Sequence, residues 1–175
     1  MLLLYILIGV YSLGMLFIFF YSLAQGHLLF HFIKARKEGS KSPEPLSQLP
    51  KVTIQLPIFN ELYVSERLIE AVSKINYPQE LLEIQILDDS TDKTSDLIKE
   101  KLTSYPDVNF QYIHRENRKG FKAGALKEGL EVAKGAFIAI FDSDFLPAPH
   151  FLNKTLPYFS APDVGLVPPR WAPFI

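Results

Sequence analysis

Three polar clusters in the sequence follow predicted buried strands, and their residue types are those that bind cations and polar ligands. They are Asn60-Glu61, Asp88-Asp89, and Asp142 with Asp144 on either side of Ser143. Paired carboxylates at the end of a buried strand repel each other and lose hydration, which costs free energy unless a cation or hydrogen-bond donors compensate. Mg²⁺ or Mn²⁺ is the simplest compensation, because these ions commonly bind one or two carboxylates together with phosphate oxygens.

The alternative interpretation is structural, since aspartate often caps the helix or turn that follows a strand. For Asp92, just before a predicted helix, the cap is the favoured interpretation. Asp142 and Asp144 are flanked by Phe141 and Phe145 and separated by a small serine, which favours the metal.

A phosphate site is predicted at the start of the third helix of the soluble part, at Gly120-Phe121-Lys122-Ala123-Gly124-Ala125. Small residues there let backbone amides approach an anion, and Lys122 adds a positive charge. The segment lacks the spacing of a Walker motif or a dinucleotide fingerprint, so Lys122 as a solvated helix residue stays an alternative. Arg115, Arg118 and Lys119 are interpreted as a solvated loop outside the site. His114 is interpreted as a hydrogen-bonded residue at the end of a strand, also outside the site.

The elements that must position these residues alternate between apolar runs and helical patterns from Lys51 onward. This alternation is typical of a mainly parallel α/β sheet with flanking helices. Strands are predicted at Val52–Leu56, Glu83–Leu87, Val108–His114 and Ala136–Phe141. Helices are predicted at Leu62–Ile75, Thr94–Leu102 and Lys122–Ala133, the last closed by Lys134-Gly135 as a C-cap.

Ligands of open α/β sheets bind outside the carboxyl ends of the strands, so the polar clusters are expected to meet at one edge. The run Ala136–Phe141 is apolar on both alternations, which predicts a central strand buried on both faces.

The first 33 residues carry no charge, and all 18 basic and 19 acidic residues of the 175-residue chain follow Ile33. About 20 apolar residues cross a hydrocarbon core of about 30 Å, so residues 1–33 are predicted to form a transmembrane helix. No basic residue precedes the run, which favours a retained anchor over a cleavable signal peptide. Lys34, Arg36 and Lys37 follow it, and the positive-inside tendency places them and the domain beyond in the cytosol.

The remaining chain divides into a proline-containing linker at 34–50 and a domain at 51–175. The net charge of −1 provides no basic surface for duplex nucleic acid, so no nucleic-acid partner is expected. The absence of cysteine excludes disulfides, thiolate catalysis and cysteine-ligated metals.

The order of four motifs resembles family 2 glycosyltransferases, and within them the membrane-bound branch similar to cellulose synthases and glucomannan synthases. The motifs are Pro57-Ile58-Phe59-Asn60-Glu61, Asp88-Asp89-Ser90-Thr91-Asp92, Gly120-Phe121-Lys122-Ala123-Gly124-Ala125-Leu126 and Phe141-Asp142-Ser143-Asp144. The resemblance implies a GT-A-like fold and a UDP- or GDP-sugar donor with Mg²⁺ or Mn²⁺. It also implies a membrane setting and inverting transfer to a glycan or lipid acceptor.

The resemblance also implies roles for single residues. Asp89, or its neighbour Asp88, is similar to the acid that contacts uracil or ribose. Lys122 is similar to the lysine near the donor diphosphate. Pro57, Asn60 and Glu61 are similar to residues that line the nucleoside pocket. Asp142 and Asp144 are similar to the pair that holds metal and ribose-diphosphate.

Two departures from the family pattern bear on activity. The family's general base lies beyond the position of Ile175, so no catalytic residue is assigned in this chain, which is expected to be the donor-binding half and inactive alone. Val167-Pro168-Pro169-Arg170-Trp171 stands where the family tends to show V-Q-x-R-W.

Three other classes compete with a transferase. An inactive, membrane-anchored nucleotide-binding module would also lack the base. A receiver-like signalling domain is disfavoured because its acidic pair would follow the first strand. A nucleotidyltransferase would carry a glycine-rich loop where Pro57 to Glu61 stand.

Overall fold

The computed structural model describes residues 1–38, 43, 46–161 and 163–168. The chain divides into two compact units, Met1–Ser42 and Pro43–Ile175. The end of the Val-Pro-Pro-Arg-Trp segment, from Pro169 onward, lies outside the described residues.

The first unit contains one long helix, α1 (Leu2–Glu38). At 1.5 Å per residue its 37 residues extend about 55 Å, more than the hydrocarbon thickness of a bilayer. Among the described residues it is the one helix long and apolar enough to cross a membrane, judged by length and composition.

The second unit is built on a parallel four-stranded sheet in the order β3-β2-β1-β4. The strands are β1 (Val52–Ile58), β2 (Leu82–Asp88), β3 (Phe110–His114) and β4 (Phe137–Ile140). Ile58 is paired with Asp88, and Asp88 with His114, so three strands end at the same level. Asn60-Glu61 and Asp88-Asp89 therefore share one edge of the sheet, and because β4 runs parallel to β1, Asp142 and Asp144 follow it at the same edge.

Helices follow the strands: α2 (Leu62–Ser73), α3 (Thr94–Leu102), α4 (Phe121–Val132) and the short α5 (Phe151–Thr155). Single 3-10 turns lie at Gln79–Leu81 and Leu156–Ser160. The observed topology confirms the predicted α/β class with a parallel sheet and flanking helices.

One face of the sheet forms the hydrophobic core, and the opposite face carries buried polar residues together with Leu87. Alternate strand residues pack with α2, α3 and α5: Val52, Ile54, Leu56, Ile58, Leu82, Ile84 and Ile86 with Leu68, Ile69, Val72, Ile98 and Leu152. On the α4 side, Thr53 donates to Glu83 at 2.7 Å, and Gln55 donates to Gln85 at 3.0 Å. These cross-strand bonds satisfy some of the polar atoms that would otherwise be costly to bury, whereas Glu83 Oε1 and Gln85 Nε2 have no hydrogen-bond partner among the described residues.

β1 continues to Ile58, whereas the prediction ended it before Pro57. The Gln55 carbonyl accepts from Phe141 N–H at 3.1 Å on the β4 side. Pro57, two residues further on, points to the same side, beyond the last residue of β4. Its missing N–H therefore breaks no ladder bond, and the strand tolerates proline at this place.

The prediction that β4 is a central strand buried on both faces is wrong. β4 is the outermost strand of the described sheet, and Ile140 is 48% exposed. Phe137 and Ala139 pack against the core, but the strand also lines an apolar groove of about 660 Å³ beside α5. An apolar run on both alternations shows only that both faces avoid charge, because the sequence does not say which element covers them.

The predicted C-cap at Lys134-Gly135 is also wrong. α4 ends at Val132, and Gly120 is the one described glycine with positive φ. Gly135 serves a close backbone approach instead, since a Cβ there would lie 2.3 Å from Thr53 N and 2.7 Å from Val52 C.

Substitution Gly135→Ala is expected to destabilise the fold by about 1–3 kcal/mol, because the added methyl group meets β1 backbone that cannot move aside easily. Gly165→Ala is the matched control, since its Cβ would meet nothing within 4 Å. Chemical denaturation of both variants measures the difference. Equal midpoints for the two variants would contradict the proposed backbone contact.

Candidate functional site

A cleft of about 510 Å³ lies at the carboxyl edge of the sheet. Residues at the end of β1 and after β1, β2 and β4 line it, together with the loop before α4 and the start of that helix: Pro57, Phe59, Glu61, Asp89, Arg118, Lys122, Ala125, Asp142, Ser143 and Asp144. Most predicted site residues are among them, whereas Asn60 and Asp88 are not. The cleft therefore unites residues up to about 87 positions apart in the chain, from Pro57 to Asp144.

The Asp88 side chain is fully buried and organises the loop after β2. Its carboxylate accepts from the Ser90 N–H at 2.9 Å, the Ser95 hydroxyl at 2.5 Å and the Tyr112 hydroxyl at 2.6 Å. His114 Nδ1 lies 3.2 Å from the same carboxylate, as expected for a hydrogen-bonded strand-end residue. Asp88 thus holds the scaffold of the loop, and the cleft is lined by its neighbour Asp89.

Burial alone would raise the pKa of Asp88, but hydrogen bonds from Ser95, Tyr112 and Ser90 outweigh it and lower that pKa. Burial together with the bond to Asp88 raises the pKa of Tyr112 to about 12. At neutral pH the pair is therefore a carboxylate accepting from a protonated phenol.

Asn60 ties the loop after β1 to the loop after β2. Its backbone N–H donates to the Ser90 hydroxyl at 2.9 Å, and its side-chain oxygen accepts from Thr91 N–H at 2.9 Å. Asn60 has φ +53°, in the left-handed region that asparagine tolerates better than most residues. The amide side chain thus fixes the shape of the cleft from its rim.

Asp89 is held in a buried ion pair with Arg115. Arg115 Nε and Nη2 donate to the two Asp89 oxygens at 2.7 and 2.5 Å, a bidentate geometry that fixes the carboxylate plane. Arg115 also donates to the Lys119 carbonyl at 3.2 Å and the Phe121 carbonyl at 3.0 Å. Nη1 makes a further ion pair with Glu128 in α4 at 3.1 Å.

The prediction that Arg115 lies in a solvated loop is therefore wrong, since only 6% of the residue is exposed. Charge-rich loops are usually solvated, and the partner Asp89 stands 26 positions away in the chain. Only the adjacency of β2 and β3 reveals that the two meet.

Two glycines allow the loop before α4 to fold tightly against the helix. Gly120 adopts φ +74°, and a Cβ at Gly124 would lie 1.9 Å from the Lys119 carbonyl oxygen. The small residues predicted at this helix start are thus required by the contact between loop and helix. Their approach to an anion stays a prediction.

Asp142 and Lys122 form an ion pair across the cleft, and each side chain is about half exposed. Asp92 does not line the cleft; its carboxylate accepts from Thr94 N–H at 2.9 Å in the turn before α3, whose N-cap position is Lys93. No group of three or more metal-ligating His, Cys, Asp or Glu side chains occurs in the part of the chain that the structure describes. The carboxylates available as metal ligands near Lys122 are those of Asp142 and Asp144, which are both exposed.

Arg118 was also predicted to be solvated, and this prediction is wrong as well. Its guanidinium carbon lies 3.2 Å from the centroid of the Phe59 ring and 5.1 Å from that of Phe121. Both Phe59 and Arg118 line the cleft. A cation stacked on an aromatic ring is invisible to a charge count along the chain, although the aromatic residues beside both polar motifs were a signal.

The fold and the cleft define an α/β protein of the GT-A-like class, with a cleft at the carboxyl edge of a parallel sheet. The chain belongs to glycosyl transferase family 2, whose sequence profile matches residues 53–174. This result confirms the family predicted from the four motifs.

The chain is similar to curated plant proteins. It is 41% identical over 141 residues to probable glucomannan 4-beta-mannosyltransferase 7 of Oryza sativa subsp. japonica, covering 77% of this chain and 24% of that protein. It is 43% identical over 129 residues to glucomannan 4-beta-mannosyltransferase 7 of Arabidopsis thaliana, covering 70% and 23%. The chain thus spans about a quarter of the length of these relatives.

Among solved structures, the chain is similar to the mannosyltransferase PcManGT from Pyrobaculum calidifontis in complex with GDP-Man and Mn²⁺. The TM-score is 0.70 and the identity 28%, over 80% of this chain and 42% of that chain. S. aureus TarS shares the fold with a TM-score of 0.52 at 23% identity, over 63% of this chain and 19% of that one.

Replacement of Asp88 by Asn is expected to destabilise the fold by about 1–3 kcal/mol at neutral pH, because an amide nitrogen cannot accept from the hydroxyl donors. The folded-state pKa of Asp88 is below its ordinary value of 3.8, so the charged form stabilises the fold. This stabilisation is complete above pH of about 5, and it is lost as the pH falls through the lowered folded-state pKa.

Urea denaturation of wild type and Asp88→Asn between pH 7 and pH 3 measures this difference, with the exposed Asp107→Asn as control. The stability gap is expected to be constant above pH of about 5 and to shrink below pH of about 4. A gap that widens on acidification would show that the Asp88 charge does not stabilise the fold.

Proposed function

We propose that the cleft binds a nucleotide-diphosphate sugar together with Mg²⁺ or Mn²⁺, as the donor site of an inverting glycosyltransferase. The observation that carries the proposal is the convergence of Asp89, Lys122, Asp142 and Asp144 on one cleft at the carboxyl edge of the sheet. Acidic side chains from separate strand ends, facing a lysine at a helix start, suit a ligand with polar nucleoside groups and a charged diphosphate.

Asp142 and Asp144 fit a hard divalent cation. Both carboxylates are exposed to the cleft, and two oxygen ligands from protein suffice when donor phosphates supply the others. When bound, the ion would neutralise negative charge on the leaving nucleoside diphosphate.

Lys122 is proposed to bind the donor diphosphate. Its ammonium pairs with Asp142 in this structure, so it already stands beside the proposed metal ligand. A positive charge held at the place where the leaving group becomes negative stabilises the transition state more than the ground state. Asp89, fixed by Arg115, is proposed to accept from the nucleobase or ribose, with Pro57, Asn60 and Glu61 shaping the nucleoside end of the cleft.

The relatives support a GDP-sugar donor and a polysaccharide acceptor. PcManGT was solved with GDP-Man and Mn²⁺, and the similar plant proteins are named glucomannan 4-beta-mannosyltransferases. We therefore favour GDP-mannose over a UDP-sugar, and a β-mannan-type glycan over a lipid, as substrates of the protein to which this chain corresponds.

We further propose that residues 1–33 anchor the chain in a membrane, that residues 34–50 link the anchor to the domain at 51–175, and that this domain faces the cytosol. The length and apolar composition of α1 and the first basic residues after it support this arrangement.

Titration calorimetry of the full chain in detergent with GDP and UDP, with and without Mn²⁺, tests the donor site. Wild type is expected to bind GDP more tightly with Mn²⁺ than without it. Asp142→Asn and Asp144→Asn are each expected to weaken the Mn²⁺-dependent binding at least about tenfold, because each removes a metal-ligating oxygen charge.

Asp107→Asn serves as the charge-matched control, since this exposed aspartate lies outside the cleft. Binding that is equally strong without Mn²⁺, or that survives both carboxylate substitutions in folded protein, would refute the proposed metal-dependent donor site.

A further inference from the structure

Arg118 occupies an unusual position for a charged residue in a surface loop. Its guanidinium carbon lies over the Phe59 ring at 3.2 Å from the ring centroid, and it lies 5.1 Å from the centroid of the Phe121 ring. This stack lines the cleft beside Asp89 and Lys122. The aromatic contacts hold the guanidinium plane in one orientation without using its hydrogen-bond donors.

The Arg118 donors find no acceptor in the part of the chain that the structure describes. Nε is buried and makes no hydrogen bond there. A buried donor without a partner is costly, and such groups in folded proteins are usually explained by a ligand, an ion or a function.

No ion pair joins Arg118 to Glu61 or Asp144, two carboxylates that line the cleft, in the part of the chain that the structure describes, and three other carboxylates pair with other cations. Asp89 and Glu128 pair with Arg115, and Asp142 pairs with Lys122. The Arg118 charge is therefore not neutralised by these groups, and it adds positive potential to the cleft. A negatively charged or oxygen-rich ligand would relieve both the unpaired charge and the unsatisfied donor.

The backbone around the stack is held in a rare conformation. Asn60, Arg118 and Phe121 are the three described non-glycine residues with positive φ, at +53°, +40° and +52°. Arg118 and Phe121 are members of the stack, and Asn60 directly follows Phe59 in the chain. Such conformations persist only where the surrounding contacts over-determine them, so the orientation of Arg118 is built into the two loops.

We propose that Arg118 is a donor-binding residue that gives its N–H groups to acceptor atoms of the nucleotide, with Phe59 as the platform that orients it. This inference rests on the proposed function and adds a residue to which that function assigned no role. The planar fork of arginine matches two acceptors side by side, as in a phosphate group or the O6 and N7 edge of guanine. Uracil presents one carbonyl at the corresponding edge, so a base contact would favour GDP over UDP.

The test is calorimetric titration of the full chain in detergent with Mn²⁺ and four ligands: GDP, UDP, guanosine and inorganic pyrophosphate. Arg118→Gln is expected to weaken GDP binding by about tenfold or more, since hydrogen bonds to charged groups contribute on that scale. Arg118→Lys retains the charge without the fork and is expected to recover only part of the affinity. Phe59→Leu is expected to weaken binding by a smaller factor, because the guanidinium loses its platform.

The ligands distinguish the two acceptors. A loss shared by guanosine, with pyrophosphate unchanged, would place the contact at the base, and the reverse pattern would place it at the phosphates. Lys119→Gln is the matched control, because it removes one positive charge from an exposed neighbour that does not line the cleft.

Equal affinity of wild type and Arg118→Gln for both nucleotides would overturn the inference while leaving the proposed function intact. Unfolding temperatures measured beside the titrations separate a merely structural role, which would lower the stability of Arg118→Gln and leave the affinity of the folded protein unchanged. That outcome would also overturn the inference. Absence of nucleotide binding by folded wild type would instead refute the proposed function and the inference together.

Discussion

The bidentate ion pair between Asp89 and Arg115 is the interaction on which the cleft depends. It joins the end of β2 to the loop before α4, and further bonds from the same guanidinium reach two loop carbonyls and Glu128. Since both side chains are only 4% exposed, removing Arg115 would leave the Asp89 charge buried and unpaired at a cost of about 3–5 kcal/mol. The positions of Arg118 and Lys122 follow from this anchor, because both belong to the segment that Arg115 holds.

The acidic pair at the end of β2 shows how two adjacent, chemically identical side chains divide their tasks. Successive residues leaving a strand point to opposite sides, so Asp88 turns into the protein and Asp89 toward the cleft. The burial of Asp88 is tolerable because hydroxyl and N–H donors surround it and lower its pKa. The result is a rigid loop that holds a neighbouring carboxylate in place, which is how a binding site gains pre-organisation.

The positive charges of the loop from Arg115 to Lys122 are likewise divided by geometry. Arg115 is buried in its ion pair with Asp89, Arg118 lies over the Phe59 ring, and Lys122 pairs with Asp142. All are equally charged in the sequence, and composition does not separate them. Their different surroundings arise because Gly120 and Gly124 allow the loop to fold back onto α4, which brings each side chain to a different partner.

The sequence by itself determined the α/β class, the alternation of parallel strands and helices along the chain, and the family. Periodicity and strand-end motifs are local, so they located α3 at Thr94–Leu102 and placed the other elements to within about two residues at most ends. Only the tertiary structure decided that β4 lies at the edge of the described sheet, that Arg115 is buried, and that Arg118 stacks on Phe59. These properties depend on contacts between residues 26 to 85 positions apart, and no local pattern of charge or hydrophobicity encodes which distant element covers a given side chain.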